Sequence, residues 1–468
     1  MDLAKTSDPG YQRMNFARVQ QISVTPARRL AQRKPNVRSQ PCGVCHARKC
    51  KCTGSVYTAA PLGTLTAAST TQAHRLIDAI RFFRLEDTMF AYVPARTGSH
   101  GAVDAAAHML LSMKEYMKAP SPPLLDMVHR RHGKALRELS VSLDASEESY
   151  MACAFLLLFD TIMDKQQIAD SVHAKALPQI LMQLDPHQGT DFRRAAFYDN
   201  RHWFFHCPIA QNSLSPYDDG RWNDVLWASQ INRPDVEACL LTASTQLLVR
   251  LPRLINHVHS IRQGATVDDG YTATLALNLC ALENCTAEAR LLEGLKIVET
   301  KGDPDWKFVP ASYQYKSLQE WEAAVLYWIA RLILIRLCQT LTIWLPSIEP
   351  YLRQATLRDT QTRMASNILK SWQYILFQGN FGGPGGRLMK EAAAVAWDAL
   401  RDRELWNGMP VGALAEWIVW RLGGISPGLS VADMKAYLDW LSGGSTDGFR
   451  RMRRLKFETV PISTISTD

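Results

Sequence analysis

A chain of 468 residues is too long for one small hydrophobic core and points to a large domain or several packed units. With 47% hydrophobic and 9% aromatic side chains it is neither low-complexity nor broadly disordered, and ten cysteines over this length exclude a small disulfide scaffold. The net charge of +8 is gathered at one end: residues 1–60 hold eleven of the 53 lysines and arginines and two of the 45 acids, a net +9, which leaves −1 on the other 408 residues. A basic arm on a near-neutral body suits a polyanion partner, nucleic acid or an acidic membrane surface; the plain alternative is a solvated or targeting tail.

Residues 1–40 are polar and basic without apolar periodicity, and are expected to be disordered. Their pattern is not that of a secretory signal. Residues 41–53 contain CGVCHARKCKC, with four cysteines between Cys42 and Cys52. Residues 54–72 are small and uncharged and read as a flexible linker. From His74 to about residue 455 helical patterns follow one another, and residues 456–468 form a tail. The other cysteines, Cys153, Cys207, Cys239, Cys280, Cys285 and Cys338, sit in apolar helical runs as reduced, hydrophobic thiols, which suits an intracellular protein.

In the helical body, Leu76, Ile77, Ile80, Phe83 and Leu85 recur at helical spacing, as do Leu125, Val128, His132, Leu136 and Leu139. Asp144, three residues before Glu147, suits a reciprocal cap at the start of a helix whose run Met151–Phe159 is apolar all round and therefore central. Further helices are expected at about 166–184, 234–263, 273–300, 317–345, 357–378, 387–402, 409–422 and 430–442. Ala323–Leu345 is long enough to span a bilayer, but Arg331 and Arg336 lie in its middle, each costing about 2.5–3.5 kcal/mol to insert. A buried core helix with both arginines reaching out at one edge fits better. Strand signals are few, no fixed repeat or sustained heptad is present, and the expected fold class is all-α.

The cysteine segment carries the most specific chemistry. Zinc takes deprotonated thiolates in a tetrahedral set, and Cys42-x2-Cys45-x6-Cys52 supplies three of them. Between them lies the basic run His46, Arg48, Lys49 and Lys51. This stretch resembles the first half of the fungal binuclear zinc cluster, the Zn2Cys6 module of fungal transcription factors, with its C-x2-C-x6-C pattern and a basic run before the third cysteine. The resemblance implies a short helix in the DNA major groove, with Lys51 on bases and Arg48 and Lys49 on phosphates, His46 belonging to the same run. It also implies nuclear localisation, a role in transcription by RNA polymerase II, and control of a pathway gene cluster such as one for secondary metabolism. The body fits the same resemblance: HGKALRELSVSL, starting at His132, is similar to a YGRAL-x-x-L helix of the family's regulatory domain, and is followed by an apolar helix as there. LPRLINHVHSIRQ (251–263) and EAAVLYWIARLILIRL (322–337) continue the similarity.

One departure stands out. The family's second cysteine half follows within a short loop, and six thiolates then hold two zincs; Thr53–Gln72 has no cysteine and no histidine. Three readings remain open: one zinc held by Cys42, Cys45 and Cys52 with Cys50 as fourth ligand; a degenerate, metal-free segment; or a second half removed by splicing or a gene-model error. A regulatory body that has lost DNA binding and acts on partner proteins is the alternative function. An effector could bind in a crevice between helices. No membrane partner is implied, and oligomeric state is not readable.

Other motifs give weaker signals. His202 and His206 stand at i and i+4 but lack the glutamate of H-E-x-x-H and read as core or edge histidines. His257 and His259 read as solvated surface. Gly379–Leu388 is glycine-rich but lacks the G-K-[ST] ending of a phosphate loop and reads as an interhelical connection. No G-x-S-x-G elbow is present, and no enzyme is implied.

Overall fold

The computed structural model divides the chain between Ala59 and Ala60. The residues described here belong to the second unit and run from 67 to 445, without 84, 86–87, 143, 164–170, 185–190, 200–204, 207, 210–211, 219–234, 301–305, 353, 378–383 and 424–428. They form α-helices with two small antiparallel two-stranded sheets, so the fold class is all-α as expected.

The first helices are α1 (Ala67–Phe82), α2 (Gly101–Lys118), α3 (Pro122–Ser142), α4 (Glu147–Ile162), α5 (Val172–Gln183) and α6 (Asp191–Asp199). Helix α1 begins inside the stretch expected to be a linker: Ala67 to Gln72 already continue into the periodic run. Leu76, Ile80 and Leu85 are buried as the periodicity requires. On α3 the buried stripe is Val128, Ala135 and Leu139, while Leu136 is exposed, because the face is set by contact with α2 and α4. Helix α4 starts differently from expectation. Its cap is Ser146, whose Oγ accepts from the Ser149 amide at 3.1 Å, and Asp144 accepts from the Ser146 and Ser149 hydroxyls. Glu147 is freed for a buried role: it takes Arg193 Nε at 2.7 Å and Arg96 at 2.5 Å. The apolar run of α4 is buried on nearly every side.

The second half comprises α7 (Val236–Arg262), α8 (Asp269–Cys280), α9 (Cys285–Gly294), β1 (Lys296–Glu299), β2 (Ala311–Gln314), α10 (Leu318–Trp344), α11 (Gln354–Lys370), α12 (Trp372–Phe377), α13 (Pro384–Leu400), β3 (Leu405–Trp406), β4 (Met409–Pro410), α14 (Val411–Leu422) and α15 (Val431–Leu441). Short polar side chains start most of these helices. Asp235, Asp268, Asn284, Ser317 and Ser430 each accept an amide hydrogen bond from the first turn, a contact worth about 1 kcal/mol. Asn284 explains why the helix expected over 273–300 is two helices and a strand. It caps α9 immediately after α8 ends, and Gly294 and Leu295 lead into β1, paired with β2 in the register Lys296↔Gln314.

Two buried apolar clusters organise this unit. One gathers α1–α6, the other α7–α15, and α7 serves both: Val249 belongs to the first, while Leu240, Leu247 and Leu254 belong to the second. Helix α10 is the centre of the larger cluster, with 18 of its 27 residues buried, against α7, α11 and α13. By length and composition alone it could cross a membrane, yet 83% of its most apolar stretch is already covered by its own neighbours. The two arginines do not share an edge as expected. Arg331 is fully enclosed, and only Arg336 is partly exposed, its Nε 3.5 Å from the buried Asp398.

The far end of α7 is tied to the turn after α15. His259 Nδ1 meets the Gly443 carbonyl at 2.8 Å, Arg262 donates to the Ser442 carbonyl at 3.0 Å, and the same guanidinium pairs with Asp439 at 2.8 Å. Gly443 has φ of +77°, and a Cβ there would lie 2.7 Å from the His259 amide nitrogen. Gly408 has φ of +76° with open space around it. Alanine at either position meets the left-handed backbone cost of about 1–2 kcal/mol. Gly443→Ala adds a backbone clash, so in urea unfolding it should lose clearly more stability than Gly408→Ala; equal losses would show that the α7–α15 junction yields.

Candidate functional site

The residues singled out from the sequence for zinc and DNA, Cys42, Cys45, Cys50, Cys52, His46, Arg48, Lys49 and Lys51, lie outside the described residues, as does His202. Among the described residues, no group of three or more histidine, cysteine or acidic side chains is arranged to hold a metal ion. His206 is a core histidine, as read: its Nε2 lies 3.1 Å from Glu391 and 3.3 Å from the Tyr437 hydroxyl, and its ring is parallel to Trp440. His257 and His259 are half-buried and bonded, His257 to Thr272 at 3.1 Å and His259 to Gly443, rather than solvated. Of the glycine-rich stretch, Gly385 and Gly386 lie in the first turn of α13.

One arrangement looks superficially catalytic. Asp160 Oδ2 is 2.8 Å from His173 Nδ1 and accepts from Ser171 Oγ at 2.6 Å. Burial alone would raise this carboxyl, but the His173 and Ser171 hydrogen bonds hold it below the ordinary aspartate value. Ser171, however, bonds the aspartate rather than the histidine, and its oxygen accepts the His173 and Ala174 amides as the cap of α5. The trio is a clamp between α4 and α5, not a nucleophile with its base. Cys153 nearby is pushed up to about 12 by burial, which leaves it an inert thiol.

The densest set of reactive and charged side chains lies where the α8–α9 turn packs on α10. Arg331 comes from the middle of α10 and is 2% exposed. Its guanidinium donates to the Cys280 carbonyl at 3.1 Å and pairs with Glu283 at 3.3 Å. The Cys280 carbonyl, which also accepts the Glu283 amide at 3.2 Å, thereby meets a cation, the favourable sign for a helix C-terminus. Tyr327, one turn earlier on α10, accepts the Asn284 amide at 3.0 Å, and burial pushes its hydroxyl up to about 12. The turn is thus gripped from two successive levels of the same helix.

Two thiols meet beside Arg331. Cys280 ends α8, Cys338 lies two turns beyond Arg331 on α10, and their sulfurs are 3.7 Å apart. The hydrogen bond from Cys338 and the positive charge of Arg331 lower Cys280, against an opposing effect of burial. Cys338 is raised well above the ordinary thiol value by its bond to Cys280 and by complete burial. Cys285, at the start of α9, is exposed, contrary to expectation, and is held up by its partial burial and by Glu283. A third layer completes the set: Glu288 on α9, fully buried, accepts Trp328 Nε1 at 2.8 Å and Arg363 at 2.5 Å.

Sequence reasoning missed this cluster because its members are 58 residues apart along the chain and each is unremarkable alone. The available signal was Arg331, a charge in the middle of an otherwise apolar helix. Chemically, the arrangement pairs a thiol disposed to ionise with a buried thiol that donates to it. No family model matches the chain, and no curated protein and no solved structure matches it.

Replacing Glu288 tests how tightly the layers are coupled. Glu288→Ala strands the buried Trp328 N–H, a loss of about 1–3 kcal/mol, whereas Arg363 is 43% exposed and can turn to water. Glu288→Gln retains an acceptor and should lose less. Urea midpoints of the two variants, with tryptophan emission as the probe, should rank alanine below glutamine; equal losses would place the main energy in the Arg363 charge, which both variants remove.

Proposed function

We propose that the chain is a sequence-specific DNA-binding regulator of RNA polymerase II transcription, of the fungal zinc-cluster type, acting in the nucleus. The observation that carries this reading is Cys42-x2-Cys45-x6-Cys52 enclosing Arg48, Lys49 and Lys51, at the one place where the chain's excess positive charge is concentrated. The helical body is of the class expected to follow such a segment and would carry regulation through protein or small-molecule contacts. Control of a pathway gene cluster belongs to the same proposal.

The donor set limits the metal. Two zincs need bridging thiolates from six cysteines, and only four are present between residues 42 and 52. Four thiolates suffice for one tetrahedral zinc, held by Cys42, Cys45, Cys52 and Cys50. Bound zinc supplies folding energy to a segment too short to bury a core of its own. Lys51 would then face bases, while Arg48 and Lys49, with His46 beside them, would sit on phosphates. The second reading, a regulatory body that acts only through partner proteins, draws on the absence of cysteine and histidine across Thr53–Gln72.

The two readings separate on metal content and DNA affinity of the full chain. We expect about one zinc per chain and binding to a random-sequence duplex pool that weakens linearly in log–log salt plots. Cys42→Ser should lose the zinc and most of the sequence-selected affinity. Zinc-free protein with unchanged DNA retention in Cys42→Ser would leave the partner-protein reading in place.

A further inference from the structure

We propose that Cys280 and Cys338 form a reversible redox modification site for peroxide, in which the helix-end thiol is oxidised first and the core thiol resolves it. The inference rests on the helical body alone and stands or falls independently of the cysteine segment at residues 42–52.

Geometry carries it. The two sulfurs already touch at 3.7 Å, and a disulfide requires about 2.05 Å, a closure that small side-chain rotations at a helix end can supply. The two cysteines are also unequal in the way sequential oxidation requires. Cys280 is partly exposed, at the last residue of α8, where a small oxidant can reach it. Cys338 is wholly buried in α10 and is shielded from direct attack. Two of the three other described cysteines lack this combination: Cys153 is buried without a thiol partner at its sulfur, where the His173 carbonyl stands 3.5 Å away, and Cys285 is exposed beside the negative charge of Glu283.

Arg331 supports the first step. Its guanidinium is anchored to the Cys280 carbonyl and to Glu283, and so places a fixed positive charge next to the sulfur that must become a thiolate. The Cys338 thiol lies within hydrogen-bond distance of that same sulfur. Both favour ionisation at Cys280; at Cys338 the bond to Cys280 and complete burial disfavour it and outweigh the same Arg331 charge.

The chemistry balances with hydrogen peroxide as the oxidant. The Cys280 thiolate attacks one peroxide oxygen, the O–O bond breaks, and Cys280 sulfenic acid forms with release of hydroxide, which takes up a proton to become water. The Cys338 sulfur then attacks the Cys280 sulfur. The S–S bond forms, the S–O bond breaks, and the thiol proton leaves with the hydroxyl as a second water. Two electrons pass from the thiol pair to the peroxide. A dithiol reductant reverses the change. The new bond would tie the end of α8 to the central helix across 58 residues of sequence.

The test uses the full chain. Purified reduced protein is exposed to graded hydrogen peroxide, blocked with N-ethylmaleimide at low pH, digested without reduction and mapped by mass spectrometry; the cysteines at 42–52 are read separately in the same digest. The expected product is a peptide pair joining Cys280 to Cys338, at the summed mass less two hydrogens, absent before peroxide and removed by dithiothreitol. Cys285→Ser should leave its yield unchanged. In Cys338→Ala, Cys280 should instead run on to sulfinic acid. The proposal is overturned if Cys338 of the wild-type protein is recovered as free thiol while Cys280 is already sulfinic, or if the linked product joins Cys285 rather than Cys338.

Discussion

A positive charge in the middle of a helix without a solvent face has to be answered where it stands, and Arg331 is that charge. The effective cost of burying an ion is several kcal/mol even after relaxation, so the surroundings of α10 are constrained to supply oxygen acceptors at one level of the helix. The end of α8 supplies the Cys280 carbonyl, and the α8–α9 turn supplies Glu283. These contacts hold the end of α8 and its turn at one level of α10, beside the Cys280–Cys338 pair. The Tyr327 hydroxyl and the Trp328–Glu288–Arg363 set continue the same logic along α10 and α9. These polar groups enter the core as partnered sets, and each set also links two elements of the fold.

The legibility of the fold follows from the physics that each segment relies on. Helices such as α7 and α15 were readable because a 3.6-residue period and an aspartate or serine cap are both local signals. Helix α10 was readable as a core helix from its hydropathy and its two arginines. What the two arginines do was not readable: the expectation that both escape at an edge failed for Arg331, because its partners come from a different helix, 48 residues away at Glu283. The break of 273–300 into α8, α9 and β1 was missed for a related reason. Asn284 is a good cap, but its neighbours are apolar enough to continue a helix, and only the Tyr327 contact across the core decides between the two. Leu136 shows the converse. It fits the stripe of α3 by spacing, yet the face is settled by α2 and α4, and Ala135 takes the inward position.

For the candidate sites the division is sharper. A metal-binding segment declares itself in sequence when its ligands are neighbours, as Cys42, Cys45, Cys50 and Cys52 are. The thiol pair of the body could not declare itself, since its two members are brought together by tertiary packing alone. Asp144 and Glu147 make the same point in miniature: a spacing suited to a reciprocal cap is occupied by Ser146 as the cap, and Glu147 is spent on Arg96 and Arg193 across the core.

Charge and thiolate count together bear on the proposed DNA segment. A stretch with net +9 in sixty residues repels itself, which opposes compaction unless negative charge is built into it. One zinc bound by four thiolates is a centre of about −2, formed from cysteines that would otherwise be neutral thiols. Placed between Arg48, Lys49 and Lys51, such a centre offsets part of their mutual repulsion while leaving the guanidinium and ammonium groups pointing outward. Metal binding and phosphate binding are then coupled rather than additive. On the proposed reading, a bound metal would hold the basic side chains together, and the duplex, by neutralising them, would favour the arrangement that the metal requires.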